Sequence, residues 1–100
     1  MTESLVSVII PNWNGYEHLP DCLDSLQNQT YSNTEVVVVD NASTDGSIQL
    51  IADQFPWVHV IRLDSNLGFT GACNIGLRES DGDILILLNN DTQVEQDWVE

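Results

Sequence analysis

The sequence predicts an α/β fold, a Rossmann-like parallel sheet with flanking helices, and three observations carry that expectation. Short apolar runs, Val6 to Ile10, Val36 to Val39 and Ile84 to Leu88, show no polar alternation, as expected of strands buried on both faces of a parallel sheet. Each run stops abruptly on polar residues: Asn12 and Asn14, then Asp40 and Asn41, then Asn90 and Asp91. Between the runs lie segments with helical spacing, so strand and helix alternate along the chain. The tips of successive parallel strands meet at one edge of the sheet, where open α/β folds bind ligands.

Taken in order, Val6 to Ile10 is the first strand and runs into Pro11-Asn12-Trp13-Asn14-Gly15. From Tyr16 to Gln29, Leu19, Cys22, Leu23 and Leu26 recur at helical spacing, and Pro20 is tolerable in a first turn. Val36 to Val39 is wholly β-branched and short, hence a strand. Ser43, Thr44 or Asp45 can cap the next helix, whose Ile48, Ile51, Ala52 and Phe55 share a face before Pro56 ends it. Val58 to Leu63 is a further strand. The segment from Gly68 to Glu79, small and glycine-containing, reads as a short helix packed closely against a neighbour. Ile84 to Leu88 is the last strand, expected to be buried, and Glu95 to Glu100 resembles the first turn of another helix. One hundred residues make at most one domain, and residues 1–100 are expected to be the first part of a larger one.

Composition narrows the function. Sixteen acidic residues against Arg62 and Arg78, with no lysine, give a formal charge of -14 at pH 7. No basic cluster exists to displace counterions from a nucleic acid or to meet an anionic membrane, so binding to either through a basic surface is not expected. A phosphate held by this chain must be neutralised by a metal ion or by backbone N–H groups. The acidic start Met1-Thr2-Glu3 and the strand-sized apolar runs give neither a signal peptide nor a transmembrane span, so a cytoplasmic location is expected, with the inner membrane face as an alternative. Cys22 and Cys73 are then reduced core thiols.

Common site motifs fail one by one. Gly68-Phe69-Thr70-Gly71 with Gly76 is not Gly-x-Gly-x-x-Gly, and it follows a later strand than a dinucleotide fingerprint would. The phosphate loop of a P-loop protein needs a lysine, which is absent. Asp40 to Gly46 lacks the sixth-position glycine of an EF-hand loop, since Asp45 stands there. His18 and His59 are isolated and have no zinc-like spacing. What remains is an edge of carboxylates and amides. Singly, such residues are ordinarily Asx-turns and caps; at the ends of several parallel strands they converge. Asp91 is the residue expected to ligate a hard cation, magnesium or manganese, with a diphosphate completing the shell. Trp13, in the loop after the first strand, either packs or stacks on a base.

Four segments taken together resemble the family 2 inverting glycosyltransferases of the GT-A fold. They are Val6 to Gly15, Val38 to Ser47, Asn66 to Gly76 and Leu87 to Thr92. The combination of Asn-Trp-Asn-Gly, Asp-Asn-Ala-Ser-Thr-Asp-Gly-Ser and Asn-Leu-Gly-Phe looks most like the rhamnosyltransferase-containing branch. The resemblance implies the nucleotide-sugar-binding part of a transferase. Pro11, Asn12 and Trp13, with Asn14 following, would line the base pocket, and Asp40 and Asn41 would read the base. Asn66, Gly68 and Asn74 would lie along the ribose and diphosphate. The family's Asp-x-Asp corresponds to Asn89-Asn90-Asp91, which retains only the last carboxylate, so the metal role falls to Asp91 with Asn90 beside the donor. The implied partners are a nucleoside diphosphate sugar and a saccharide or lipid-linked acceptor; self-association through an exposed sheet edge is also open. The family's general base lies beyond the metal motif, so no catalytic base is assigned within this chain. A non-catalytic nucleotide-binding or interaction module is the alternative reading.

Overall fold

The computed structural model describes residues 4–95 together with Trp98 and Val99. Strands β1 (Val6–Asn12), β2 (Thr34–Asp40), β3 (His59–Arg62) and β4 (Ile84–Leu87) alternate with helices α1 (Leu19–Gln27), α2 (Ser47–Gln54) and α3 (Gly68–Glu79). The strands pair in parallel in the order β3-β2-β1-β4. The first three strands therefore build outward in one direction, and the chain then crosses back to place β4 on the other side of β1. The order reverses between β1 and β4, which makes that gap the topological switch point of the sheet.

Side-chain alternation splits the core into two layers. Val6, Val8 and Ile10 of β1 and Val36 and Val38 of β2 face α1 and α2, packing on Leu19, Cys22, Leu23, Leu26, Ile51 and Phe55. Ile9, Val37 and Val39 face the other way, onto Ala72 of α3 with Ile61 and Ile75 around it. Ser7 lies on this second face and is fully buried. Its hydroxyl donates to Glu35 Oε2 at 2.6 Å and accepts from the Gly82 N–H at 2.8 Å, so a polar side chain in the middle of an apolar strand is fully satisfied.

The strands run longer at their carboxyl ends than the apolar runs imply. Pairing continues through Pro11 opposite Val39 and Asn12 opposite Asp40. Pro11 sits in a central strand without breaking the ladder because of where its missing N–H points. Asn12 O accepts from Asn41 N on the β2 side, while Ile9 O accepts from Leu88 N on the β4 side. Position 11 shares the orientation of position 9, so the absent N–H faces β4, whose pairing with β1 stops at Ile9.

Several sequence expectations need correction. The first helix begins at Leu19, not Tyr16, because Tyr16 to His18 form a turn in which His18 and Leu19 both donate to Gly15 O. None of Ser43, Thr44 and Asp45 is the N-cap of α2; that place falls on Gly46, and Asp45 instead accepts the Ser47 N–H at 3.0 Å in an Asx-turn. Ala52 is exposed, and Leu50 takes its expected place in the buried face of α2. Of the last run, Leu88 is buried, but among the described residues β4 lies at the edge of the sheet and its Ile84, Leu85 and Leu87 are exposed by 51%, 41% and 45%. Leu85 and Leu87 share the α3 face through their pairing with Ser7 and Ile9, yet α3 packs over β1 and β2 and leaves them open. The helix expected from Glu95 to Glu100 falls partly outside the described residues; Trp98 donates to Glu95 O within a turn.

Where α3 crosses the sheet, Gly76 sets the distance. A Cβ there would meet Ile9 Cγ2 at 2.4 Å and Val39 Cγ2 at 3.0 Å. Replacing glycine by alanine in a helix interior normally gains about 1 kcal/mol, whereas overpacking a core costs about 1 to 3 kcal/mol. The packing term should win. Gly76→Ala is expected to lower the chemical denaturation midpoint, and a midpoint that rises would show that α3 lifts off the sheet freely.

Candidate functional site: a crevice at the switch point

A crevice of about 340 Å3 opens at the carboxyl edge of the sheet, lined by Pro11, Asn12 and Trp13 from β1, Asn41 after β2, Asn66, Gly68 and Phe69 at the start of α3, and Asn89, Asn90 and Asp91 after β4. The size suits a nucleotide-scale ligand. Eight of the residues expected from sequence thus meet there: Pro11, Asn12, Trp13, Asn41, Asn66, Gly68, Asn90 and Asp91. Asn14, Asp40 and Asn74 are not in the lining. Asn74 is exposed on α3, and Asn14 belongs to a neighbouring surface hollow with Tyr16, Glu17, His18 and Asp45.

Asp40 is buried beneath the crevice, 2% exposed. Its carboxylate accepts from Asn12 Nδ2 at 2.9 Å, from the Ser43 hydroxyl at 2.6 Å and from the Ser43 N–H at 2.9 Å. Asn14 is tied to the same loop: its N–H donates to Ser43 Oγ and its Oδ1 accepts from the Thr44 N–H. Asp45 closes the far side of this loop. Burial works against its ionisation, but hydrogen bonds from the Ser47 hydroxyl and from the N–H groups of Tyr16 and Ser47 outweigh it and hold the carboxyl below the usual carboxylate range.

Asn41 spans from the β2 tip to the loop before α3. Its Oδ1 accepts from the Leu67 N–H at 3.0 Å, and its Nδ2 donates to Gly68 O at 3.2 Å. Asn66 Oδ1 accepts from the Gly68 N–H at 2.7 Å. These two amides place the N-terminal end of α3, with its partial positive charge, at the crevice, and in doing so they occupy the N–H groups of Leu67 and Gly68. On the opposite wall the Asn89 to Thr92 turn is closed by the Thr92 N–H on Asn89 O at 3.2 Å. Cys22 of α1 lies under this turn with its Sγ 3.8 Å from Asn89 O. Burial pushes its thiol up to about 11, with Asp91 adding to the rise against a lowering contact from the Thr92 backbone. Cys22 and Cys73 are both buried and free, so Cys22 packs as an inert hydrophobe at neutral pH.

Two aromatic rings stand out from the walls, Trp13 and Phe69, each 56% exposed. Trp13 is therefore not a core residue. Phe69 and Asn89 were not singled out as site residues, although they lie in the segments Asn66 to Asn74 and Asn89 to Asp91 that the family resemblance sets along the donor. Helical spacing puts Phe69 on the same face as Ala72 and Cys73, but the first turn of α3 overhangs the crevice and has no sheet beneath it. No basic side chain lines the crevice. Arg62 lies along α2 on another groove, and Arg78 is ten positions from the start of α3, about 15 Å along its axis. Among the described residues no three His, Cys, Asp or Glu side chains cluster to hold a metal. Asp91 nevertheless offers one exposed carboxylate next to Asn89 and Asn90 in the lining, and an oxygen donor of this kind suits magnesium or manganese when a diphosphate and water supply the remaining ligands.

A parallel sheet of order 3-2-1-4 with flanking helices and a polar crevice at its switch point is an α/β, Rossmann-like fold that matches GT-A glycosyltransferase structures. The sequence model of glycosyl transferase family 2 matches residues 7–100, and the chain belongs to that family. It is 41% identical over 108 residues to the glycosyltransferase AglE of Haloferax volcanii, covering all of this chain and 35% of that protein. It is 35% identical over 102 residues to the glycosyltransferase GlyA of Streptococcus pneumoniae, of which it covers 15%. The crystal structure of Staphylococcus aureus TarS in complex with UDP superposes with a TM-score of 0.87 at 27% identity, over 94% of this chain and 29% of that one. The mannosyltransferase PcManGT of Pyrobaculum calidifontis, solved with GDP-Man and Mn2+, superposes with a TM-score of 0.76 at 32% identity, over 88% and 28% of the two chains. The chain thus spans about a third or less of the lengths of these relatives.

Gly15 packs under the crevice, and a Cβ there would lie 2.3 Å from both Asn12 Oδ1 and Asn90 Nδ2. Asn90 Nδ2 donates to Asn12 Oδ1 at 2.8 Å, and neither amide can retreat from the other without losing that bond. Gly15→Ala is expected to destabilise the protein by about 1 to 3 kcal/mol, read as a lower thermal midpoint; an unchanged midpoint would show that the two amides are loosely held.

Proposed function

We propose that the full-length protein transfers a sugar from a nucleoside diphosphate donor to an acceptor hydroxyl with inversion at the anomeric carbon, and that residues 1–100 hold the donor. The observation that carries this reading is the crevice at the switch point between β1 and β4, in a chain of glycosyl transferase family 2. The UDP-bound and GDP-Man-bound states of the superposed structures support a nucleotide sugar as the ligand.

In this reading the base lies between Pro11 and Trp13 and the loop held by Asn41, with Trp13 stacking on it and Phe69 opposing from α3. Asp40 shapes the base end from below through Asn12 and Ser43. The ribose and diphosphate run past Asn66 and Gly68 toward Asn90 and Asp91. A divalent cation bound at Asp91 would neutralise the diphosphate and the charge that develops on the leaving group. The crevice has no lysine or arginine to take that role. The protein's own residues orient the donor so that the anomeric carbon faces the acceptor, and the base that removes the acceptor proton belongs to another part of the fold.

Trp13→Ala is expected to weaken nucleoside diphosphate binding by about 1 to 3 kcal/mol, as loss of base stacking does, with little change in thermal midpoint. Isothermal titration with UDP, GDP and dTDP measures it, and unchanged affinity for whichever nucleotide binds would remove Trp13 from the site.

Asp91→Asn should abolish the manganese-dependent part of that affinity and leave the fold intact, because the change keeps shape and removes the carboxylate. Titrating manganese at fixed nucleotide in both proteins is the check. Identical manganese dependence would show that the cation is held elsewhere.

A further inference from the structure

Cys22, Ser25 and Gln29 stand three and four positions apart, so they follow one edge of α1 and the chain just past its end. All three meet the segment that follows β4. Cys22 Sγ lies 3.8 Å from Asn89 O. The Ser25 hydroxyl donates to Cys22 O at 2.8 Å and accepts from the Val94 N–H at 3.2 Å, so a serine inside a helix, ordinarily a competitor for its own backbone, here grips a second segment. Gln29 grips it twice more. Its Nε2 donates to Ser25 O in the last helical turn at 3.4 Å and to Glu95 O at 2.6 Å, while its Oε1 accepts from the Val99 N–H at 3.0 Å. Both ends of the amide are engaged, which fixes its orientation.

The same segment is held upstream by β1. Leu88 N donates to Ile9 O, and Asn90 Nδ2 donates to Asn12 Oδ1 at 2.8 Å. Between the Asn90 and Val94 anchors lie only Asp91, Thr92 and Gln93, and the bond from Thr92 N to Asn89 O takes up slack within that bridge. Downstream, Val94, Trp98 and Val99 pack on the core layer that Leu23 and Leu26 of α1 help to build. Asp91 is thus an exposed carboxylate on a backbone held from both sides. A cation that finds one protein carboxylate cannot gain affinity from a second charge, so how firmly that oxygen is held becomes the remaining lever, because a ligand already in place loses less freedom on binding.

We propose that Ser25 and Gln29 are positioning residues that act from α1 to hold the Asp91 carboxylate ready for the divalent cation. The inference rests on the reading of Asp91 as the cation ligand and extends it to two side chains that do not line the crevice. Their grip is on backbone, so they contribute no ligand and no charge.

Manganese is titrated against the full-length protein at a fixed concentration of whichever of UDP, GDP and dTDP binds, and the manganese concentration giving half of the affinity gain is read. Ser25→Ala and Gln29→Met are each expected to raise it about three- to tenfold, the worth of one neutral hydrogen bond, with nucleotide affinity in the absence of manganese unchanged. Ser25→Thr keeps the hydroxyl and should keep the wild-type value. Ile51→Val is the comparison, since it thins the core beneath α2 and lowers stability without touching the gripped segment. Its manganese response should match wild type.

A lower thermal midpoint in Ser25→Ala and Gln29→Met with a wild-type manganese response would show that α1 only supports the fold, and that pattern overturns the proposal. An equal shift in Ile51→Val overturns it as well. If neither grip variant folds, backbone hydrogen exchange in the wild-type protein decides: slow exchange at Val94 and Val99 supports the grip, and fast exchange at both overturns it. Asp91→Asn separates this inference from the reading beneath it. A manganese response lost in Asp91→Asn but unmoved in Ser25→Ala and Gln29→Met sinks the positioning role alone, whereas an unmoved response in Asp91→Asn removes Asp91 as the ligand and the positioning role with it.

Discussion

The position of β1, with a parallel neighbour on each side, is the constraint from which the crevice follows. Every residue of β1 is buried, and its two edges are treated differently. On the β2 side, pairing runs to Asn12, whereas on the β4 side it stops at Ile9. Pro11 stands where the second edge comes free and has no N–H to offer a continuing β4, so the chain after Leu87 turns away. The space between the two tips is the crevice. A residue able to donate at position 11 would leave an unpaired N–H facing that space, and an unpaired buried donor is costly. The same proline therefore both ends the ladder on one side and leaves a wall without a competing donor.

Electrostatics then decides what the crevice can hold. The whole chain carries a formal charge of -14, yet its lining contains one carboxylate and otherwise amides, aromatic rings and backbone. Amides are neutral and hydrogen-bond in both directions, so they can frame a polyanionic ligand without repelling it. They cannot neutralise it. In the proposed donor-bound state, partial charge at the start of α3 would offset a fraction and a divalent cation would have to supply the balance.

The sheet was largely legible in the sequence because parallel strands advertise themselves as unbroken apolar runs, and the turn after each run carried the polar tips. Placing Val36 to Val39 and Val6 to Ile10 in parallel strands needed no tertiary information. Boundaries were less legible: Thr34 and Glu35 extend β2, and Pro11 and Asn12 extend β1, since pairing with a neighbour outruns side-chain hydrophobicity. The buried state expected for Ile84 to Leu88 holds for Leu88 but not for Ile84, Leu85 and Leu87, because strand composition reports neither edge position nor how far a helix reaches. At the site, the residues that meet were visible as types and as a family resemblance, but their division of labour was not. Nothing local distinguishes Asn12, wholly engaged with Asp40, Ser43 and Asn90, from Asn89, which faces the crevice. Phe69 was hidden for the opposite reason, a helical pattern that implied burial where the sheet had already ended.

The open edge of β4 has a consequence for how this chain behaves among copies of itself. Ile84, Leu85 and Leu87 flank a row of backbone groups without a strand partner on that side among the described residues, the arrangement that templates edge-to-edge association. Two such edges approaching each other also bring together two bodies of charge -14. At low ionic strength that repulsion reaches tens of ångströms and keeps the edges apart; at about 0.1 M salt it is screened within about 10 Å. Colloidal stability of residues 1–100 is thus set by the ionic atmosphere, and the acidic surface acts as a long-range guard for a strand edge that no other described residue pairs with.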